Sequence, residues 1–127
     1  MSFADLSGAN LSGANLLNAT MSDANMEGVN LEGANLSQTN ISDSYFFMAN
    51  MRGAKVRDSL LVRTTLAGAN LSGADLSGSN LSKADLSKAY LSGANLSGAQ
   101  LKGAILKGAT LCNTTMPDGK KIQVGCE

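Results

Sequence analysis

The apolar positions along this chain keep a period of five. From Leu6 to Met116 every fifth residue is apolar, 23 in all: 16 Leu, four Met, and Ile41, Phe46 and Val56. Two residues before each stands something small, Ala in 16 cases and otherwise Val29, Thr39, Ser44, Ser59, Thr64, Ser79 or Thr114. Between the two, 13 of 23 positions are Asn or Asp; after the apolar residue comes Ser in 11 cases, then Gly in 12. A helix cannot use this pattern, because five residues at about 100° each turn the apolar side through roughly 140° per unit. A long strand fails too, since its side chains alternate with a period of two. A short extended side followed by a corner does work. Residues two apart on such a side point the same way, so Ala and Leu face inward and the Asn between them faces out. The Ser-Gly that follows makes the corner, and its second position suits a positive φ, as in a type II turn.

Gly13, Gly33, Gly53, Gly73 and Gly93 share a column at a spacing of 20, followed by Asn113. That spacing predicts four sides per coil. A(N/D)LSG in tandem over about residues 4–118 resembles the pentapeptide-repeat family of cyanobacteria and plant thylakoid lumens. The resemblance implies an all-β right-handed quadrilateral parallel β-helix of almost six coils. At a strand spacing of about 4.8 Å these would form a rod roughly 28 Å long.

The reading gives two units, a repeat β-helix over residues 1–118 and a C-terminal capping tail over 119–127. Pro117-Asp118-Gly119 reads as a turn, after which Ile122 and Val124 fold back over the last coil. Cys112 and Cys126 bracket this segment, either as a disulfide or as two reduced thiols. At the other end Met1 and Phe3 are the only candidates for a plug, so that end is expected to be exposed and to allow stacking into a dimer.

One coil breaks the surface rule. In residues 45–63, YFFMANMRGAKVRDSLLVR, the inward positions Phe46, Met51, Val56 and Leu61 remain apolar. Outside, Tyr45 and Leu60 replace Asn or Asp, Phe47 and Val62 replace Ser, and Met48 and Arg63 replace Gly. All three Arg of the protein, Arg52, Arg57 and Arg63, lie here. One reading is local packing, with ion pairs Glu32–Arg52 and Asp43–Arg63 across neighbouring coils and internal hydroxyl ladders from Ser44 with Thr64 and from Thr39 with Ser59 and Ser79. The other is a protein-binding band of Tyr45, Phe47, Met48, Arg52, Arg57, Leu60, Val62 and Arg63, since exposed aromatic, aliphatic and Arg side chains make binding hot spots. Tyr90 reads as a lone surface aromatic. Lys83, Lys88, Lys102 and Lys107 read as a solvated face, and the Asn column as a hydrogen-bonding or solvated surface.

Ten Lys and Arg balance ten Asp and Glu. Five acids and no base precede Arg52, and ten bases with five acids follow from it, so the halves carry −5 and +5. The zero total argues against nucleic-acid binding. Without His, a zinc site or a Ser-His-Asp triad loses most of its usual forms. No apolar run of about 18 residues spans a membrane, and MSFADLSGAN lacks the basic and apolar regions of a signal peptide. No catalytic, cofactor or metal site is expected. The resemblance implies a non-enzymatic protein-interaction scaffold, regulatory in some members, acting as a monomer or end-to-end dimer on a protein partner. It also offers a DNA-mimicking, topoisomerase-binding role, which zero net charge disfavours. The compartment reads as cytoplasmic, with periplasm or thylakoid lumen as the alternative for a mature chain.

Overall fold

The structure, a computed structural model, describes residues 3–126. They wind into a right-handed quadrilateral β-helix. The central residue of each side bridges in parallel to the residue twenty further on, without a gap from Asp5 with Asn25 to Asn95 with Thr115. Each bridge uses two backbone bonds. The Leu71 N–H donates to the Tyr90 carbonyl at 2.7 Å, and the Tyr90 N–H donates to the Ala69 carbonyl at 2.9 Å. Every coil therefore takes twenty residues and has four sides.

The corners explain the rest of the unit. The second corner residue has positive φ throughout, from Phe3 to Asn113, whether or not it is Gly. The N–H after it closes the turn onto the apolar residue's carbonyl, as Ala74 does onto Leu71 at 3.0 Å. Asn or Asp at the central position caps the corner from outside. All 13 accept the N–H of the residue two ahead through Oδ1, as Asn70 does from Ser72 at 3.1 Å. This local bond is the physical reason for Asn in A-N-L-S-G.

Inside, the fifth-residue column is fully buried from Met21 to Leu96, and Ala fills the space between its members. Thr39, Ser44, Ser59, Thr64, Ser79 and Thr114 are buried as well. Their hydroxyls do more than stack on each other. Most reach into the preceding coil's corner: Ser44 Oγ donates to the Met21 carbonyl at 2.6 Å, and Thr64 Oγ1 to the Ile41 carbonyl at 2.7 Å. Among the described residues no buried side-chain polar atom lacks a partner.

The C-terminal segment forms a hairpin. Strand β1 (Leu111–Thr115) pairs antiparallel with β2 (Lys121–Val124), with an irregularity at Asn113. On this side β2 occupies the place a further coil would take. Cys112 and Cys126, 14 apart in sequence, are joined by a disulfide. Ile122 packs against the core, whereas Val124 is 51% exposed. Phe3 does not act as a plug either: it is 81% exposed, because its corner directs it away from the bore. Met1 lies outside the described residues. Leu6, Leu11 and Leu16 of the first coil are only half-buried.

Candidate functional site

The odd coil keeps the frame of its neighbours. Phe46, Met51, Val56 and Leu61 are wholly buried, and bridges run through Tyr45, Asn50, Lys55 and Leu60 in both directions. The departures are external. Tyr45 is 57% exposed, Phe47 45%, Met48 59% and Leu60 46%. Arg52, Arg57 and Arg63 are exposed, and Val62 is half-buried.

The register shows that these eight residues encircle the rod. Tyr45 lies on one side and Phe47 with Met48 on the next corner. Arg52 and Arg57 take the two following corners, and Leu60 the fourth side. Val62 with Arg63 closes the ring. No single flat partner face touches all of them.

The cations divide. Arg63 donates from Nε to Asp43 Oδ1 at 2.8 Å and from a terminal nitrogen to Oδ2 at 3.0 Å, a two-point pair between adjacent coils. This holds the Asp43 carboxyl below its usual range and raises the Arg63 guanidinium. Arg57 pairs with Asp75 at 3.5 Å. The expected Glu32–Arg52 pair does not form, although the two share a column; both side chains remain exposed at their corner.

The coil also gives up local support. Tyr45, Lys55 and Leu60 have no Oδ1 to cap the corner that follows. The Arg57 and Val62 N–H groups turn instead to the preceding coil, bonding Ser37 Oγ at 3.4 Å and Ser42 Oγ at 3.2 Å.

A groove of about 420 Å³ opens along the Phe47–Met48 corner. By the register, Phe47 and Met48 line one end of it, Ala67 and Gly68 the middle, and Ser87, Lys88 and Tyr90 the other end two coils on. Gly68 makes room for the Met48 side chain. A Cβ there would lie 2.5 Å from Met48 Sδ, so the thioether rests where another residue would place its side chain. Tyr90 is therefore not isolated, and Lys88 is not merely part of a solvated face. The signal for both was the twenty-residue column, which puts positions 47, 67 and 87 in one line and 50, 70 and 90 in the next. Among the described residues, no three His, Cys, Asp or Glu side chains cluster as metal ligands.

A family model described as pentapeptide repeats matches in eight copies over residues 1–38, 44–82 and 79–116. The chain belongs to the pentapeptide-repeat family. Among solved structures, this pentapeptide-repeat protein is similar to Rfr23 from the cyanobacterium Cyanothece 51142. The two share 26% identity over 85% of this chain and 88% of that one, with a TM-score of 0.82. It also resembles a pentapeptide repeat protein from the Arabidopsis thaliana thylakoid lumen, at 29% identity over 91% and 70% of the two chains and a TM-score of 0.47. A third relative is HetL from Nostoc sp. strain PCC 7120, a protein involved in heterocyst differentiation regulation. It matches at 25% identity over 96% and 89%, with a TM-score of 0.35. No curated protein matches the chain. Among the described residues no helix is long and apolar enough to cross a membrane.

Proposed function

We propose that this pentapeptide-repeat protein is a non-enzymatic scaffold that binds a protein partner, in a regulatory role, through the surface of its odd coil. One observation carries the reading. Within a single coil the inward rule is intact while eight outward residues, Tyr45, Phe47, Met48, Arg52, Arg57, Leu60, Val62 and Arg63, leave the repeat pattern. Four large apolar side chains among them are about half exposed, the composition of a binding hot spot.

The DNA-mimic alternative needs a continuous acidic face. The register instead scatters the acids over several sides and corners: Asp23 and Asp43 on one corner, Glu27, Glu32 and Asp58 on three others, and Asp75 and Asp85 on different sides. The Cys112–Cys126 disulfide supports periplasm or thylakoid lumen over cytoplasm, since disulfides persist in oxidising compartments. The reading includes residues 119–127 as a cap and an end-to-end dimer through the first coil, where Leu6, Leu11 and Leu16 are half-buried. Sedimentation of wild type and Leu11→Asn tests the dimer: a monomer at all concentrations refutes it.

The test of the main reading compares wild type with a consensus-coil variant: Tyr45→Asn, Phe47→Ser, Met48→Gly, Arg52→Ser, Arg57→Ser, Leu60→Asn, Val62→Ser and Arg63→Gly. The variant must melt within a few degrees of wild type. A partner captured from source-cell lysate by wild type alone is the expected result. Identical captures from both proteins would refute the odd coil as the binding surface.

A further inference from the structure

We propose that the groove at the Phe47–Met48 corner binds an extended acidic peptide segment. One apolar or aromatic side chain of that segment sits against Phe47 and Met48, and a carboxylate about two coils away meets Lys88 beside Tyr90. The inference rests on the interaction reading above and specifies the partner's chemistry.

Three observations converge on it. The first is the groove's two-part chemistry. Phe47 and Met48 give one end an aromatic face and a polarizable thioether, while Lys88 with Tyr90 forms the other end two coils on. The second is charge. Among the described residues Lys88 has no ion-pair partner, unlike Arg57 and Arg63. Lys107 stands one coil beyond Ser87 in the same column, and Lys88 with Lys107 outnumbers the single carboxylate there, that of Asp85, which Ser87 bonds, so the net charge at that end is positive. Glu27 stands one coil before Phe47, which repels a carboxylate from the opposite end and sets the ligand's direction. The third is backbone strain. Met48 has φ 59° and Lys88 φ 58°, a region that side chains other than Gly, Asn and Asp enter at a cost. Gly68 lies between them in the same column and takes the Met48 thioether, while the Lys88 stem leans over Gly108.

The spacing sets the ligand. Met48 and Lys88 are two coils apart, roughly 10 Å at the strand spacing. A segment in the polyproline II conformation covers that distance in about three residues, one full turn, which brings the first and fourth side chains to the same face. The segment recognised therefore carries an aromatic or large aliphatic residue and a Glu or Asp three positions away.

The probe is a Gly/Ser octapeptide carrying one phenylalanine and, three residues on, one glutamate. It is made in both sequence orders, with lysine replacing glutamate in a control. Binding to the full chain is read from NMR shifts of the Met48 and Ala67 methyl groups. One glutamate peptide should shift both saturably and the lysine control should not. Met48→Gly, Tyr90→Asn and Lys88→Gly each install a repeat-consensus residue, so the coil is retained. Each should weaken binding roughly tenfold, whereas Lys83→Gly on the neighbouring corner should leave it unchanged. For Lys88→Gly the affinity should also lose most of its dependence on salt. Silent methyl groups at millimolar peptide, or equal shifts from the lysine control, would overturn the proposal. If the consensus-coil variant still loses a partner in that event, only the groove assignment falls. If it does not, the interaction reading falls as well.

Discussion

Removing one hydroxyl from the odd coil, Ser59→Ala, should destabilise the protein by about 1–3 kcal/mol. The Thr39 N–H does not close its own turn. It donates to Ser59 Oγ of the next coil at 3.1 Å, and that hydroxyl donates to the Leu36 carbonyl at 2.8 Å. After substitution the Leu36 carbonyl still accepts from Thr39 Oγ1 at 2.6 Å, so the carbonyl is satisfied. The Ser59 N–H keeps its acceptor, Ser79 Oγ, at 3.0 Å. What remains is one backbone N–H, in a residue only 2% exposed, with no partner. Leaving such a donor unpaired costs about 1–3 kcal/mol. Ser44→Ala makes the control. Its Oγ also accepts a turn N–H, that of Ala24 at 3.3 Å, but the same N–H has the Met21 carbonyl at 3.3 Å. No group is orphaned there, so the loss should stay near 1 kcal/mol or below. Urea unfolding followed by far-UV circular dichroism, with matched m-values, measures both. Equal effects of the two variants would refute the account. So would a Ser59→Ala change within 0.3 kcal/mol or so, because Thr39 would then have closed onto Leu36 as Ala does elsewhere, at a fraction of the cost of an unpaired donor.

Leu71 lies between Met51 and Leu91 in the buried column, all three fully enclosed. Leu71→Ala should therefore cost about 2–5 kcal/mol; Leu71→Lys should abolish the cooperative melt, and an unchanged melting temperature would refute the inward assignment. The Asp43 carboxyl titrates below its ordinary range because Arg63 binds its charged form. A depressed folded value means the pair stabilises above the unfolded pKa and is lost as pH falls through the folded one. A carboxyl-carbon NMR titration should thus show Asp43 returning to the usual carboxylate range in Arg63→Gly, with the carboxyl ionised in both proteins at neutral pH. Reduction of Cys112–Cys126 should open the β1–β2 hairpin, since a loop of this size contributes about 3 kcal/mol. Hydrogen exchange at Ile122 and Val124 should then speed up while the amide of Leu71 stays protected; uniform loss of protection would refute a local cap.

Much of the fold was legible because the inward rule is local. Ala and Leu two apart face one way on any extended side, and the corner's positive φ selects Gly, Asn or Asp, so both appear directly in the period. The column spacing of twenty placed Asp43 beside Arg63, and the two do pair. It also placed Glu32 beside Arg52, where no pair forms, because sharing a column does not bring two flexible exposed side chains together. The groove was harder to see. Tyr90 and Lys88 each depart alone from an otherwise regular unit and lie some forty residues from Phe47 and Met48, although only two coils separate them in space. The hydroxyl bonds were half visible. Ser and Thr at the small inward positions indicated ladders, but their reach into the preceding corner depends on the vertical offset between coils, which composition does not encode. Phe3 and Val124 were assigned to the ends on hydropathy alone, and the corner and hairpin geometry turned both outward.

The left-handed corners separate structural departures from the ones that need another cause. Arg63, Lys83, Met48 and Lys88 all hold positive φ where the repeat supplies Gly at no steric cost. At Arg63 the strain has a visible compensation, the two-point bond to Asp43, with Asp23 further along the same column adding attraction. Met48 has no polar bond to offset its backbone, and much of its side chain faces solvent. Lys88 has no ion pair. These two share one column, flank the same Gly68 and bound the same groove. Both side chains lean along their column, the Met48 thioether onto Gly68 and the Lys88 stem over Gly108, so a glycine at the next corner makes the room each departure uses. Lys83 holds the same left-handed corner and lays its stem over Gly103 without bordering the groove, so what sets Met48 and Lys88 apart is the groove they line and not their backbone.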